Sequence, residues 1–353
     1  MELDIPTRFE RDWDRTVEDA PLRFAVVGLG GFARNTALPA IADSDYCETT
    51  AVVSGSPEKA DRVADEFDAA YALTYDEYAD GVGADAYDAV YVVTPNALHL
   101  PHVETAAELE KDVLCEKPLE ATADRAERLV AVCEDAGVSL MTAYRMQTAR
   151  SVRWVRRLID DGVVGDPVQV HGEFSFRLLE QGGPDQWRID SDLAGGGALM
   201  DIGVYPMNTA RYVLDADPVA VRATSHATQP AFDGVDEHVA FQLEFPDAVT
   251  ASCTASFNAA SASRFAVTGT EGRIVVDSIF GVDDERRITV ETDGGRTVVD
   301  AAAPNEVTEE FDYFATAVLT EMDLEPDGRH GLTDVRTAEA VYESSETGTR
   351  VEL

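Results

Sequence analysis

The first strong pattern along the chain is Leu22 to Val27, a short β-branched and aromatic run that ends directly in glycine. A run of this length stopped by a turn former predicts a strand, and the residues after it predict a helix to about Asp43. A second strand is predicted at Thr49 to Val53, with a helix from about Pro57 to Phe67 and a short acidic helix near Tyr75 to Ala79. A strong strand follows at Ala89 to Val93, stopped by Thr94-Pro95-Asn96. His102 to Leu109 reads as helix, Asp112 to Cys115 as strand, Ala123 to Asp135 as helix and Ser139 to Thr142 as strand. Strands alternating with helices at this spacing predict parallel βαβ units, which right-handed crossovers wind into a doubly covered sheet.

The pattern changes near residue 144. A helix is predicted from about Gln147 to Asp160, and Val168 to Leu178 then partly alternates polar and apolar positions, as expected for a sheet with one covered face. Strand-like segments recur at Val219 to Ser225, Val239 to Phe245, Thr250 to Asn258, Arg264 to Thr268, Gly272 to Asp277, Arg287 to Glu291 and Thr297 to Ala301. Turns such as Asp293-Gly294-Gly295 point to a mostly antiparallel sheet. Helices are predicted at Val307 to Met322 and Leu332 to Ser344, and polar residues 1–20 are expected to form an N-terminal arm.

Charge narrows the function classes. With 28 Lys+Arg against 67 Asp+Glu, the formal net charge is −39, a potential that repels nucleic acid and anionic membrane. Hydrophobic residues still make up 45% of the chain, so a folded core is expected beneath the acidic coat. Lysine occurs only at Lys59, Lys111 and Lys117. Such a surface fits a high-salt cytoplasm, where screening suppresses self-repulsion. Cys47, Cys115, Cys133 and Cys253 are too scattered for a disulfide framework. No apolar run reaches the ~20 residues needed to span a bilayer, and the expected location is cytoplasmic.

Gly28-Leu29-Gly30-Gly31-Phe32-Ala33 lies between the first predicted strand and helix. There Gly28 permits the tight turn, Gly30 the approach of backbone to a pyrophosphate, and Ala33 close packing of helix on strand. A Rossmann domain is therefore expected over 21–144. The domain over 145–353 is expected to be α+β, with a large, mostly antiparallel open-faced sheet. Gly28, Gly30, Gly31, Phe32 and Ala33 are cofactor-binding candidates. At the end of the second strand Ser54 stands where an acidic residue would bind the ribose 2′-hydroxyl of NAD. Ser54, Gly55, Ser56 and Lys59 are expected to take a 2′-phosphate instead, which favours NADP. Thr94, Pro95, Asn96, Glu116 and Lys117 complete the cofactor-lining candidates.

Glu116-Lys117-Pro118 falls at the carboxyl end of a predicted strand, the edge where open α/β sheets bind ligands. Pro118 biases Lys117 toward an extended backbone, so its side chain has a defined direction. The second cluster runs Gly195-Gly196-Gly197-Ala198-Leu199-Met200-Asp201-Ile202-Gly203-Val204-Tyr205-Pro206. Asp201 and Tyr205 are four apart and share a helix face, and the glycines are expected to let the chain approach a ligand or cofactor closely. A phenol is weakly acidic, but a neighbouring lysine charge stabilises the phenolate. Lys117 and Tyr205 are thus the catalytic candidates and Asp201 a substrate ligand. Asn96, His99, Tyr144, Arg145 and Trp187 are further substrate-binding candidates. No HExxH or Cys/His cluster predicts a metal site.

Together GLGGFA, TPNALH at Thr94 to His99, EKP, GGGALMDIGVYPMN at Gly195 to Asn208 and GLTDVRTAEAVYES at Gly331 to Ser344 resemble the glucose-fructose oxidoreductase/inositol dehydrogenase family over nearly the whole chain. The resemblance implies NAD(P)-dependent sugar oxidation and a second domain whose sheet lines the active site and joins subunits as a homodimer or homotetramer. It assigns Lys117 to the family's catalytic lysine and Asp201 to its substrate-contacting aspartate. Tyr205 stands where many members carry histidine, which resembles the aldose and dihydrodiol dehydrogenase branch. The expected activity is an NADP-dependent aldose 1-dehydrogenase, taking D-xylose to D-xylono-1,5-lactone. The alternatives are glucose, another aldose or a trans-dihydrodiol as substrate, or a non-catalytic dinucleotide-sensing regulator.

Overall fold

The computed structural model describes residues 9, 11–13, 15, 17, 21–281, 285–301 and 305–353. Most of the predicted N-terminal arm lies outside the described residues. The chain divides into two compact units, one holding 12–145 with 305–332, the other 1–11, 146–304 and 333–353.

The first unit is built on a six-stranded parallel sheet. Its strands are β1 (Leu22–Val27), β2 (Cys47–Val53), β3 (Tyr71–Leu73), β4 (Ala89–Val92), β5 (Asp112–Glu116) and β6 (Leu140–Ala143), in the order β3-β2-β1-β4-β5-β6. That order reverses at β1 and β4, and ligands of such sheets bind outside the carboxyl ends of the strands at the reversal. Central strands β1 and β4 are almost wholly buried, as a sheet with both faces covered requires. Part of one cover comes from late in the chain, because the helix Glu306–Leu319 sets Phe311 and Phe314 against Phe24 of β1 at 5.4 and 5.9 Å between ring centroids. Trp13 packs edge-on against Tyr313 of the same helix.

Within this unit the His102 ring lies 4.7 Å from that of Tyr75, and burial pushes its imidazole down to about 4. The unfolded chain takes up that proton near 6.5. Between these limits the folded unit lacks a proton that the unfolded chain holds, so acidification removes stability, roughly 3 kcal/mol by pH 4. His102→Phe keeps an aromatic ring in place and is expected to flatten this slope in urea unfolding at pH 5 and 7.5. Equal acid sensitivity in the two proteins would reject the assignment.

The second unit carries a nine-stranded sheet. Its strands are β7 (Pro167–Arg177), β8 (Ala220–His226), β9 (His238–Glu244), β10 (Thr250–Ser256), β11 (Asn258–Gly269), β12 (Gly272–Asp277), β13 (Arg286–Thr292), β14 (Gly295–Ala301) and β15 (Val351–Glu352). They are ordered β14-β13-β12-β11-β7-β10-β9-β8-β15, antiparallel except for the pair β7/β10. The two expected sheets are therefore present. The predicted strand Thr250 to Asn258 ends two residues early, at Ser256, and β11 starts at Asn258, well before the predicted Arg264. The helix Val204–Leu214 lies against β7, closely enough that a β-carbon at Gly172 would stand 2.5 Å from Pro206 Cβ. Among the described residues no helix is long and apolar enough to cross a membrane.

Candidate active site

In the first unit β1 runs into Gly28, whose φ of +104° glycine alone adopts readily. A β-carbon there would lie 2.8 Å from the Val93 carbonyl oxygen, so β1 and β4 leave no room for a side chain. Gly30 and Gly31 are exposed, and a β-carbon at either would meet nothing within 4 Å. A helical stretch starts at Gly31 and passes through a π-turn at Ala33–Ala37 into Leu38–Ala42, with Ala33 fully buried. Open backbone at a helix N-terminus, reached through a tight glycine turn, fits the pyrophosphate of a dinucleotide. Gly28→Ala is expected to destabilise this turn by about 1–3 kcal/mol and to weaken dinucleotide binding. Calorimetric titration and thermal melting check both, and parent-like values would refute the role.

At the end of β2 the side chains differ from expectation in one respect. Ser54 is only 3% exposed, and its hydroxyl accepts the Ser56 N–H at 3.2 Å, so it shapes the turn and offers no surface to a phosphate. Gly55 is exposed, while Ser56 and Lys59 are half-buried at the start of the helix Pro57–Glu66. Ser56 caps that helix by accepting the Lys59 N–H and donates to Glu58 at 3.1 Å.

Lys117 follows β5 in a segment tied from both sides, and its peptide bond to Pro118 is cis. Glu116 accepts from the Tyr91 hydroxyl at 2.7 Å and from the Lys117 N–H at 3.1 Å. Beyond Pro118, Glu120 is fully buried, accepts the Ala121 N–H and pairs with Arg125 at 2.6 Å. Both flanks of Lys117 are thus fixed, while its own side chain is half-buried.

Three substrate candidates are corrected here. His99 is fully buried, with Nδ1 3.1 Å from the Leu119 carbonyl and Nε2 2.9 Å from the Thr94 carbonyl. It ties the loop after β4 to the loop after Lys117 and presents nothing to a ligand. Burial lowers its imidazole, the nearby carbonyls only partly opposing that. Arg145 is 4% exposed and pairs with buried Glu306 at 2.5 Å. Tyr144 is fully buried beside the His330 ring. Asn96 is also buried, at 3% exposure, with Thr94 at 6% and Pro95 half-buried. Glu310, which the sequence did not single out, is buried too. Desolvation, followed by the charge of Glu116, pushes its carboxyl well above the ordinary range, while Arg145 and Lys117 pull the other way.

In the second unit the glycine run leads into a π-turn, Leu199–Gly203, and then the helix Val204–Leu214. Asp201 and Tyr205 sit at its beginning, both half-buried. Asp201 Oδ2 accepts from Arg188 Nε–H at 3.1 Å, and the Arg188 guanidinium lies 4.8 Å over the Trp187 ring. Trp187, Arg188 and Asp201 therefore form one linked group, of which Arg188 was missed. On the other side the Tyr205 ring meets Phe174 edge-on at 5.6 Å and Phe280 at 5.9 Å. A carboxylate held by an arginine next to a phenol with an aromatic flank suits a ligand with hydroxyls on one edge and C–H groups on its face.

Residues 22–144 match the oxidoreductase family with an NAD-binding Rossmann fold, and residues 152–275 match the GFO/IDH/MocA C-terminal domain. The chain is a member of the GFO/IDH/MocA oxidoreductase family. It is 51% identical to the D-xylose 1-dehydrogenase [NADP(+)] of Haloarcula marismortui over 97% of this chain and 96% of that protein. A second NADP(+) D-xylose 1-dehydrogenase, from Haloferax volcanii, is 36% identical over 94% of this chain and 100% of its own. Among solved structures, the aldose-aldose oxidoreductase of Caulobacter crescentus with glycerol superposes with a TM-score of 0.89 at 32% identity, covering 95% of this chain and 100% of that one. In this GFO/IDH/MocA member the first unit is the dinucleotide-binding domain. Among the described residues no group of three or more His, Cys, Asp or Glu side chains is placed to hold a metal ion.

Proposed function

We propose that this GFO/IDH/MocA member is an NADP-dependent aldose 1-dehydrogenase that oxidises D-xylose to D-xylono-1,5-lactone. The observation that carries the reading is the pairing of Asp201 and Tyr205 at the start of one helix, with Arg188 on the carboxylate and Phe174 and Phe280 on the phenol. The haloarchaeal D-xylose dehydrogenases that it resembles along nearly its whole length support the substrate and the cofactor.

Bound NADP+ supplies the acceptor for the hydride leaving C1 of the sugar. Tyr205, as phenolate, takes the proton of the anomeric hydroxyl and becomes neutral phenol, and the Lys117 ammonium lowers the cost of holding the phenolate that the step consumes. Asp201, half-buried and oriented by Arg188, accepts hydrogen bonds from neighbouring sugar hydroxyls, so analogues lacking them forgo those bonds. Trp187 and Phe174, both half-buried, form apolar surface for the sugar C–H face, and the fully buried Phe280 packs against Phe174 and Tyr205. Gly28, Gly30, Gly31, Phe32 and Ala33 would hold the pyrophosphate end of the cofactor, with Gly55, Ser56 and Lys59 toward its 2′-phosphate and the half-buried Pro95 and Glu116 toward the nicotinamide, while the buried Thr94 and Asn96 shape the loop after β4.

Assembly belongs to the same proposal. The outer face of the large sheet carries a cavity of about 810 Å³ lined by residues such as His171, Glu173, Arg222, Gln242 and Arg264. This face is the proposed subunit contact of a homodimer or homotetramer in a salt-rich cytoplasm. Light scattering at high salt reads the assembly directly.

Initial rates over an aldose panel with NADP+ and NAD+ in molar salt test the activity. The expected result is fastest turnover with D-xylose, stoichiometric release of NADPH, and a clear preference for NADP+. Faster glucose oxidation or an NAD+ preference would overturn the substrate or cofactor assignment. Sugar-to-sugar hydride exchange without cofactor release would replace simple dehydrogenation.

A further inference from the structure

The glycine run ahead of Asp201 closes on the protein itself. A β-carbon at Gly197 would stand 2.0 Å from the Asp236 carbonyl oxygen, and one at Gly196 would stand 2.0 Å from the Tyr342 hydroxyl. Small residues are needed here because two distant pieces of chain occupy the space. This differs from the expected approach to a ligand.

What occupies that space grips three successive backbone amides. Asp236 Oδ1 accepts the Gly197 N–H at 2.7 Å, its main-chain oxygen accepts the Ala198 N–H at 2.9 Å, and Oδ2 accepts the Leu199 N–H at 2.8 Å. The Tyr342 hydroxyl donates to Oδ1 at 2.6 Å and fixes the carboxylate in turn. Asp236 is only 6% exposed. These amides open the π-turn Leu199–Gly203, and helix-opening N–H groups have no acceptor in their own helix. An acidic group there both satisfies them and complements the helix dipole. The next bond in the series runs from the Asp201 N–H to the Gly197 carbonyl at 3.1 Å, so the grip passes directly to the substrate-binding candidate.

We propose that Asp236, braced by Tyr342, is a positioning residue for catalysis: it sets the pitch and register of the turn from which Asp201 and Tyr205 project. The proposal rests on the assignment of those two residues to the sugar site. Asp236 acts through the backbone it holds. A displacement of about 1 Å in a reacting group costs on the order of 10²-fold in rate, so a loosened turn is read in kcat.

Tyr342→Phe removes one hydroxyl and keeps the ring, while Asp236→Asn keeps the shape and halves the acceptor oxygens. For each variant, kcat and KM on the preferred aldose, the NADP+ dissociation constant, the melting temperature and amide hydrogen exchange of the 196–206 peptide are measured. The expected pattern is a kcat loss of about tenfold to hundredfold for Asp236→Asn and a smaller loss for Tyr342→Phe. The NADP+ constant stays within twofold, and faster exchange is confined to 196–206. A kcat within twofold of the parent in Asp236→Asn, or faster exchange spread over the whole second unit, overturns the proposal. The mild variant Tyr342→Phe decides the matter if Asp236→Asn does not fold. If the parent turns over no aldose, the functional reading fails separately. Exchange at 196–206 then decides the grip alone, and an unchanged rate overturns it.

Discussion

Tyr205→Phe is expected to lower kcat on the preferred aldose by roughly 10²–10⁴-fold, the range attributed to a positioned general base. The substitution removes only the hydroxyl. The ring contacts with Phe174 and Phe280 survive it, so folding and melting temperature should stay near those of the parent. KM should change little, because the proposal assigns substrate binding mainly to Asp201, which Arg188 holds. Lys117→Met is expected to fall in the same range for a different reason. It keeps a straight side chain between the fixed flanks Glu116 and Glu120 but removes the charge that stabilises the phenolate. Steady-state kinetics across pH separates the two, since loss of the lysine shifts the rising, acid-side limb set by the base to higher pH, while loss of the hydroxyl removes that limb. Near-native turnover in either variant would sink the proton-transfer assignment.

Arg145→Met is expected to cost about 3–5 kcal/mol of stability at neutral pH, the usual penalty for stranding one partner of a buried ion pair. Arg145 and Glu306 are 5% and 1% exposed at their side chains, and Glu310 lies buried in the same cluster of charges. Without the guanidinium, the carboxyl groups lose a cation that now favours their charged forms. The pH dependence has a definite sign. A carboxyl whose folded pKa lies above its unfolded value holds its proton more tightly when folded, so its ionisation above that range costs stability. The deficit of Arg145→Met should therefore shrink at pH 5 and grow at pH 8. Urea unfolding at the two pH values measures it, and a deficit independent of pH would refute the charge argument. Glu310→Gln, which leaves the ion pair intact, should instead be neutral or stabilising at pH 8.

These two residues also mark where the sequence was legible and where it was not. Tyr205, Asp201 and Lys117 stand out in the sequence because the proposed chemistry needs particular side chains at particular element ends, and the strand-glycine-helix pattern at Leu22 to Ala33 marked the tight turn of the Rossmann domain. Arg145 read as a ligand because a polar residue after a strand end usually faces the cleft. Its true partner, Glu306, lies 161 positions later, and no local pattern reports that. His99 failed in the same way, its two carbonyl contacts turning a polar signal into a buried brace. Among the strands, Tyr71–Leu73 and Val351–Glu352 are too short to show a period, and the small polar start of β11, Asn258 to Ser263, lacks the β-branched signature. Asp236 escaped notice because it reads as one acid among 67, and only its three amide contacts set it apart.

The division of the chain bears on how this protein can be cut and recombined. The dinucleotide-binding unit closes only with residues 305–332, which supply Phe311 and Phe314 to the face of β1. A fragment ending at residue 144 would leave that face to water, and a transplanted Rossmann half would need the late segment sewn back to it. Neither unit is a contiguous stretch of coding sequence. A crossover that exchanges one half between relatives therefore has to respect several junctions at once, which favours change by substitution within the site over exchange of whole domains.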